Sequence, residues 1–397
     1  MKTTVATVDF GTSKIVTLVA ENSGSQRCDI TAAGIARYDG YLDEGWNNPA
    51  ALNEAIHESL ADAESQCGTK IREVNVGVPG AFTNVYATKV TIQLKGTDPR
   101  VTSQDVRNAF NKAAENLQDI PGVVIHSSPA WFMVDSSKKT LEPVGMKGRE
   151  MTAFISFVVG NRYFIDDVTT RMAELGITVS GFFSTTAGEA MLYLDEQDRD
   201  HTSVLIDMGY LNTEIIGVEG DAVIYHKIIN AGGGDIAVAL AEELDISLDA
   251  AEEIKRQFVY GLDAGDEKYQ VTGTDGEKST AFTREQVKPV ICKAVDEIAD
   301  QIKDAIDNDF GGLGGWSSVY MTGGGLSFNR GGREYLGGRL GYAVKETPRR
   351  TTKLNSHCFS SALGLMDLII DTIEQQRQPS NGFGGKVLGF FKSLLGG

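Results

Sequence analysis

From Thr4 to Ala20 the chain is rich in β-branched and apolar residues, broken once by Asp9-Phe10-Gly11-Thr12-Ser13-Lys14. This predicts strand, tight turn, strand. Helical spacing follows over 49–67. Val74–Val78 reads as a short buried strand stopped by Pro79-Gly80. Residues 82–158 predict a strand (85–94), a helix from Thr102 or Ser103 to about Leu117 with Ser103 as its cap, and strands at 123–125 and 152–159. Next come a helix over 162–175, a strand over 178–183 and a helix from about Ala187 to Leu194.

The opening pattern then returns. Val204 to Gly209 leads through Tyr210–Asn212 into a second apolar strand, 213–218, and Asp207-Met208-Gly209 lies 198 positions after Asp9-Phe10-Gly11. Self-similarity at half the chain length predicts two related halves. The second half continues with Ala231-Gly232-Gly233-Gly234-Asp235, a helix over 236–244 and a helix over 250–258 capped by Ser247 or Asp249. A polar hairpin over 261–281 and a long helix from Thr283 to about Asp309 come next. A strand over 318–321 enters Thr322-Gly323-Gly324-Gly325, and a last helix covers 356–373. Gln375 to Gly385 reads as a linker.

Composition narrows the classes. Lys and Arg number 37 against 54 Asp and Glu, a net charge of −17, which disfavours nucleic acid as the main partner. Four scattered cysteines make no disulfide scaffold, and five histidines form no metal-binding spacing. The N-terminus has no signal-peptide pattern and no 18-residue apolar run exists, so a cytosolic, soluble body is expected. Trp46, Trp131 and Trp316 form no helical stripe and read as packing residues. Arg349-Arg350 reads as a solvated patch.

Glycine makes up about 11% of the chain, against a usual ~7%. It gathers in four turns that follow a strand or precede a helix: 9–14, 207–213, 231–235 and 322–325. Backbone N–H groups in such turns suit phosphate. Asp9 and Asp207, each at a strand end, could hold Mg2+ through water. No GxxxxGK[ST] is present, which excludes a P-loop.

The order of these turns resembles the actin-like ATPase superfamily over residues 1–373. Val76-Gly77-Val78-Pro79-Gly80, Ile125-His126, Pro129, Phe132, Val134-Asp135, Pro143-Val144-Gly145-Met146 and Gly148 resemble the inserted subdomain of FtsA, the bacterial cell-division actin homologue. The resemblance implies an α/β, duplicated ribonuclease H-like fold of two halves around a nucleotide cleft. It divides the chain into 1–81 with 159–200, an insert at 82–158, 201–235 with 310–373, and 236–309. A linker (374–385) and an amphipathic helix (386–397) follow, and the last helix of the body packs on the first half.

By the same resemblance, Gly11, Thr12, Ser13 and Lys14 line the first phosphate loop, and Gly209, Asn212 and Thr213 the second. Gly232, Gly233 and Gly234 lie under the phosphates. Glu252, Lys255 and Arg256 border the ribose, and Gly323, Gly324 and Gly325 face the adenosine. Glu189 either positions the attacking water or is a solvated first-turn residue. Asp9, Asp207 and Glu189 form the implied catalytic and Mg2+ group, with ATP as ligand. Tyr210 and Leu211 stand where the family carries glycine, which implies slow hydrolysis at most. The resemblance also implies filaments built through the insert, other divisome proteins as partners and a place at the division site, on the cytoplasmic face of the membrane. The acidic C-terminal peptide of FtsZ would meet a basic face of Arg284, Lys288, Lys293 and Lys303, whose other reading is a solvated surface. A soluble sugar or acetate kinase and a pilus-assembly adaptor are the competing functions.

The tail separates them. Val387, Leu388, Phe390, Phe391, Leu394 and Leu395 fall on one helical face of roughly 160°, bordered by Lys386 and Lys392. Ten residues span about 15 Å, too short to cross a bilayer core of about 30 Å. Such a helix lies in the interface and favours anionic lipid. From Gln375 onward the charge is +3, against −20 for the rest. Burying six apolar side chains gains about 9–18 kcal/mol and ordering ten residues costs about 10–20. One tail therefore binds weakly, and many on a filament bind firmly.

Overall fold

The structure is a computed structural model and describes residues 3–22, 28–261, 268–272, 279–348, 354 and 356–377. Two five-stranded sheets share one topology. In the first, antiparallel Cys28–Arg37, Lys14–Asn22 and Thr3–Phe10 continue into parallel Glu73–Val78 and Thr178–Ser184. In the second, antiparallel Ala222–Ile229, Thr213–Glu219 and Ser203–Met208 continue into parallel Val319–Thr322 and Val344–Glu346. Ser203–Met208 is covered on both faces, hence its solid apolar run Val204-Leu205-Ile206, while Glu73–Val78 buries Val74, Val76 and Val78 in alternation with Asn75 and Gly77. This is the duplication that the 198-residue offset predicts.

A third sheet carries the insert, with Glu150–Gly160 between Thr83–Gln93 and Val123–Val134. Helix Ser103–Ala114 covers one face over Val106, Phe110, Phe132, Met151 and Phe157. Its cap is Thr102 rather than Ser103: Asp105 N–H donates to Thr102 Oγ1 (3.2 Å), and Asp105 Oδ2 accepts from Thr102 N–H (2.9 Å). The insert also rests on the second sheet. Ser156 Oγ donates to the Val223 carbonyl, Asp221 N–H donates to Pro129 O (3.1 Å), and Trp131 packs on Ala222.

Several elements depart from the pattern. Val123–Val134 is far longer than the predicted 123–125, because bulges beside Val124 and Pro129 let it pass its proline. Cys28–Arg37, poor in strong β-formers, exists by tertiary contact. It pairs with Lys14–Asn22, and helix Leu52–Cys67 closes its outer edge: Gln66 bonds both N–H and C=O of Ala33 (3.0 and 2.8 Å), and Asp62 accepts from Ile35 N–H (3.0 Å). Strand Ala222–Ile229 and the glycine-containing helix Gly332–Leu340 likewise escaped the pattern.

Two helices leave the cleft floor side by side. Thr185–Tyr193 joins the halves, and Ser360–Arg377 packs on it and on Val5, Val16 and Leu18 of the first sheet. An added Cβ at Gly188 would lie 2.5 Å from Gly364 O, so small residues set their close approach. Among the described residues no helix is long and apolar enough to cross a membrane.

Candidate functional site

Both hairpins end in the same turn. Gly11 N–H donates to Lys14 O (3.0 Å), and 198 positions later Gly209 N–H donates to Asn212 O (2.9 Å). The tips meet: Thr12 Oγ1 accepts from the N–H groups of Tyr210 (3.2 Å) and Leu211 (3.1 Å). Tyr38 steadies the first turn by donating to Gly11 O (2.6 Å), and its N–H reaches Ser13 O (3.4 Å). Lys14 extends its ammonium over the Phe359 ring (4.3 Å). Thr213 is buried and donates to Ala231 O (2.8 Å).

The glycines of the second half lie against backbone. Gly233 and Gly234 begin helix Gly233–Leu244, three residues earlier than predicted, and their N–H groups donate to Gly209 O (2.9 Å) and Tyr210 O (2.7 Å). A Cβ on Gly233 would sit 2.6 Å from Gly325 Cα, and Gly323 has φ +87°. Gly325 N–H donates to Met208 O (2.7 Å), and Gly324 faces Cys358. Gly232 N–H is bound by Asp235 (2.7 Å). Lys255 is buried and holds Gly233 O (2.6 Å) and Glu252 (2.5 Å), with burial pulling its pKa down. Arg256 stays exposed, 3.4 Å from Glu252.

Four carboxylates converge beneath the turns. Asp9 accepts from Ser361 Oγ (2.8 Å), and burial pushes its pKa up to about 6. Asp207 is hydrogen-bonded to Glu189. Burial, then the charges of Glu214 and Asp9, push it up to about 8. Glu189 is 2% exposed and is raised well above the usual range by burial and by Asp207. It is therefore not a solvated first-turn residue. Glu214 accepts from Thr186 Oγ1 (3.1 Å) and lies 3.2 Å from His226 Nε2. Asp207 Oδ1 and Glu189 Oε1 are buried without a hydrogen bond. Acidic oxygens crowded in this way demand positive charge, and a hydrated Mg2+ fits that demand. Among the described residues, no group of three or more His, Cys, Asp or Glu is placed to grip an ion directly.

Sequence reasoning missed Glu214, Ser360, Ser361 and Phe359. Glu214 was legible as the one charge inside the run Thr213–Val218. The other three come from the far end of the chain, and only the fold brings them here. Two expectations fail. Arg284 is 6% exposed, its guanidinium stacked on Phe258 (4.6 Å) and donating to Val259 O (2.7 Å), so it belongs to the core and not to a basic docking face. Trp316 is 83% exposed and is no packing residue. The tail positions Lys386, Val387, Leu388, Phe390, Phe391, Lys392, Leu394 and Leu395 lie outside the described residues, as do Arg349 and Arg350.

Residues 80–159 match the family described as the SHS2 domain inserted in FtsA. Over 393 residues the chain is 25% identical to the cell division protein FtsA of Neisseria meningitidis serogroup B, covering 95% of this chain and 93% of that protein. It is 25% identical over 302 residues to FtsA of Streptococcus pneumoniae serotype 2, covering 76% of this chain and 66% of that one. Among solved structures it is similar to the PilM-PilN type IV pilus biogenesis complex (TM-score 0.60, 18% identity, 91% of this chain and 97% of that chain). It is also similar to MreB 5 of Spiroplasma citri bound to AMPPNP (TM-score 0.53, 13% identity, 94% and 98%). With residues 80–159 matching the SHS2 domain inserted in FtsA, on a duplicated body of actin-like fold, the chain is similar to bacterial FtsA cell-division proteins.

Proposed function

We propose that the chain binds ATP with Mg2+ between its two hairpin turns, polymerises head to tail, and ties FtsZ filaments to the cytoplasmic face of the membrane through its C-terminal segment. The observation that carries the reading is the pair of identically closed turns, 198 residues apart and joined tip to tip above four crowded carboxylates. A site at the junction of related halves responds to their relative position.

Asp9 and Asp207 would hold Mg2+ through water, with Glu189 behind them. Bound Mg2+ neutralises phosphate charge and relieves the crowded carboxylates. The chain's own groups set the terms of binding. A phosphate must take the Tyr210 and Leu211 amides from Thr12, which couples binding to separation of the tips. Burial and the charge of Asp207 raise Glu189 well above the usual carboxylate range, which favours its protonated form and makes it a poor base toward water. Slow turnover, with ATP acting through conformation, follows. Gly324 and Phe328 would border the adenosine, and Lys255 and Glu252 the ribose. The insert would supply the contact with the next subunit, a heterologous joint that does not close and so makes filaments.

The likeness to PilM concerns the fold, and the basic apolar tail favours the membrane-tether reading over a pilus adaptor. Co-sedimentation with anionic vesicles in the presence of ATP, with and without residues 384–397, tests it. The full chain should pellet and the truncated chain should not. Equal pelleting refutes the tether.

A further inference from the structure

Trp316 stands at the end of Gly311-Gly312-Leu313-Gly314-Gly315, 83% exposed, with its indole stacked on the His201 ring at 6.3 Å. Trp46 and Trp131 are each 7% exposed. An indole left in water on a glycine-rich loop is an unfilled contact, because tryptophan gains most from being covered. The rim is acidic. Asp195, Glu196 and Asp200 are exposed, Arg199 is buried and turned inward to Leu194 O, Gly220 O and Asp221, and the half-exposed Lys345 is engaged by Asp198 (3.5 Å) and Ser318 Oγ (2.9 Å). Anionic lipid would be repelled here, and a basic apolar segment attracted.

We infer that the Trp316–His201 platform is the resting dock of the chain's own basic amphipathic segment, Lys386–Leu395, which leaves it for lipid. Charge is the first argument: residues from Gln375 onward carry +3 and no acid. Topology is the second. Helices Thr185–Tyr193 and Ser360–Arg377 start together at the cleft floor, where Glu189 meets Ser360, and pack against each other. The first leads into Glu196–His201. That stretch precedes strand Ser203–Met208, whose far end, Asp207, is at the cleft. The strand from Ser203 to Asp207 spans about 13 Å, and His201 lies two residues beyond the end away from the cleft. The second helix descends about 24 Å from Ser361 to Arg377. Both end on the face opposite the cleft, and the nine residues from Arg377 to Lys386 reach about 30 Å. Tethering makes the local concentration of the segment high, so a weak dock is filled until lipid competes. The inference rests on the membrane-tether reading only for that competition.

Fluorescence of Trp316 is the test, isolated by subtracting the spectra of Trp316→Phe in each protein. Acrylamide should quench Trp316 about two-fold less in the full chain than in a chain ending at Gly382. Adding the synthetic peptide 384–397 to the truncated chain should restore protection, and 0.5 M salt should remove it. Glu196→Lys with Asp200→Lys, in the full chain, should raise quenching to the truncated level, with unchanged circular dichroism showing that it folds. Anionic vesicles should do the same to the unaltered full chain. Equal quenching in the two chains with no response to peptide overturns the inference. Protection that appears only when vesicles are added also overturns it, since the loop would then be a lipid contact. Co-sedimentation is read separately: a full chain that protects Trp316 but ignores vesicles refutes the tether and leaves the dock standing.

Discussion

The two halves share one sheet order and one hairpin turn, yet the turns are set into their surroundings differently. In the first half the turn is held from one side, by Tyr38 and by Gly40 against Thr12, while a Cβ on Gly11 itself would meet only Lys14 O, at 3.2 Å. In the second half the turn is wedged between two glycine runs. A Cβ on Gly325 would lie 2.5 Å from Gly209 O, and one on Gly233 2.6 Å from Gly325 Cα. The sheet edges differ too. Helix Leu52–Cys67 seals Cys28–Arg37, whereas Ala222–Ile229 receives the insert. One half of the duplicated frame is thus a finished surface. The other joins the cleft to the insert that the first half's chain carries.

The sharpest way to break this comparison is to add one methyl group to the first turn and one to the glycine run packed against the second. Gly325→Ala should cost about 3 kcal/mol or more, because only backbone and buried Met208 surround it, while Gly11→Ala should cost about 1 kcal/mol or less. Urea denaturation of both variants measures the gap. Equal losses would mean that the second turn is no more tightly set than the first.

Thr12→Val comes next. It keeps the shape but takes the acceptor from two amides of the opposite half, and should lower stability by about 1–2 kcal/mol, while Thr12→Ser restores it. If valine and serine melt alike, the tips are not joined by this hydroxyl.

The carboxylates give a pH signature. Asp9 and Asp207 have folded pKa values of about 6 and about 8, above the unfolded value of about 3.9. The folded chain therefore binds more protons than the unfolded one. The stability this confers is full below about pH 4 and is lost as pH rises through 6 and 8. The ligand-free chain should melt a few degrees higher at pH 5.5 than at pH 8.5, and Asp207→Asn should flatten the upper part of that slope. A melting temperature that climbs over the same range would show that the carboxylates are not crowded.

The smallest effect belongs to the sealed edge. Gln66→Ala should cost about 0.5–1.5 kcal/mol by freeing both backbone groups of Ala33 at the surface. Hydrogen exchange at Ala33 should quicken while exchange at Val223 stays unchanged.

How legible all this was in the sequence follows from the range of the forces. Hairpins, helix caps such as Ser247 and the Asp-x-Gly repeat are local, so pattern alone located them. Cys28–Arg37 was invisible because its stability comes from Gln66 and Asp62, thirty residues on. Arg284 looked like a surface charge because helical spacing does not reveal an aromatic floor made by Phe258. The site was half legible. Asp9, Asp207 and the glycine turns announce themselves, whereas Ser360, Ser361 and Phe359 reach the cleft from the far end of the chain.

The central claim is that nucleotide sits where the two turns meet, and calorimetric titration of the full chain with ATP and Mg2+ tests it most directly. One site per chain is expected. Asp9→Ala should weaken the Mg2+-dependent part of the affinity, and Gly324→Val should abolish binding by pressing its side chain into the space beside Cys358 and Phe328. Unchanged affinity in both variants, each shown to be folded by its melting curve, would contradict the account.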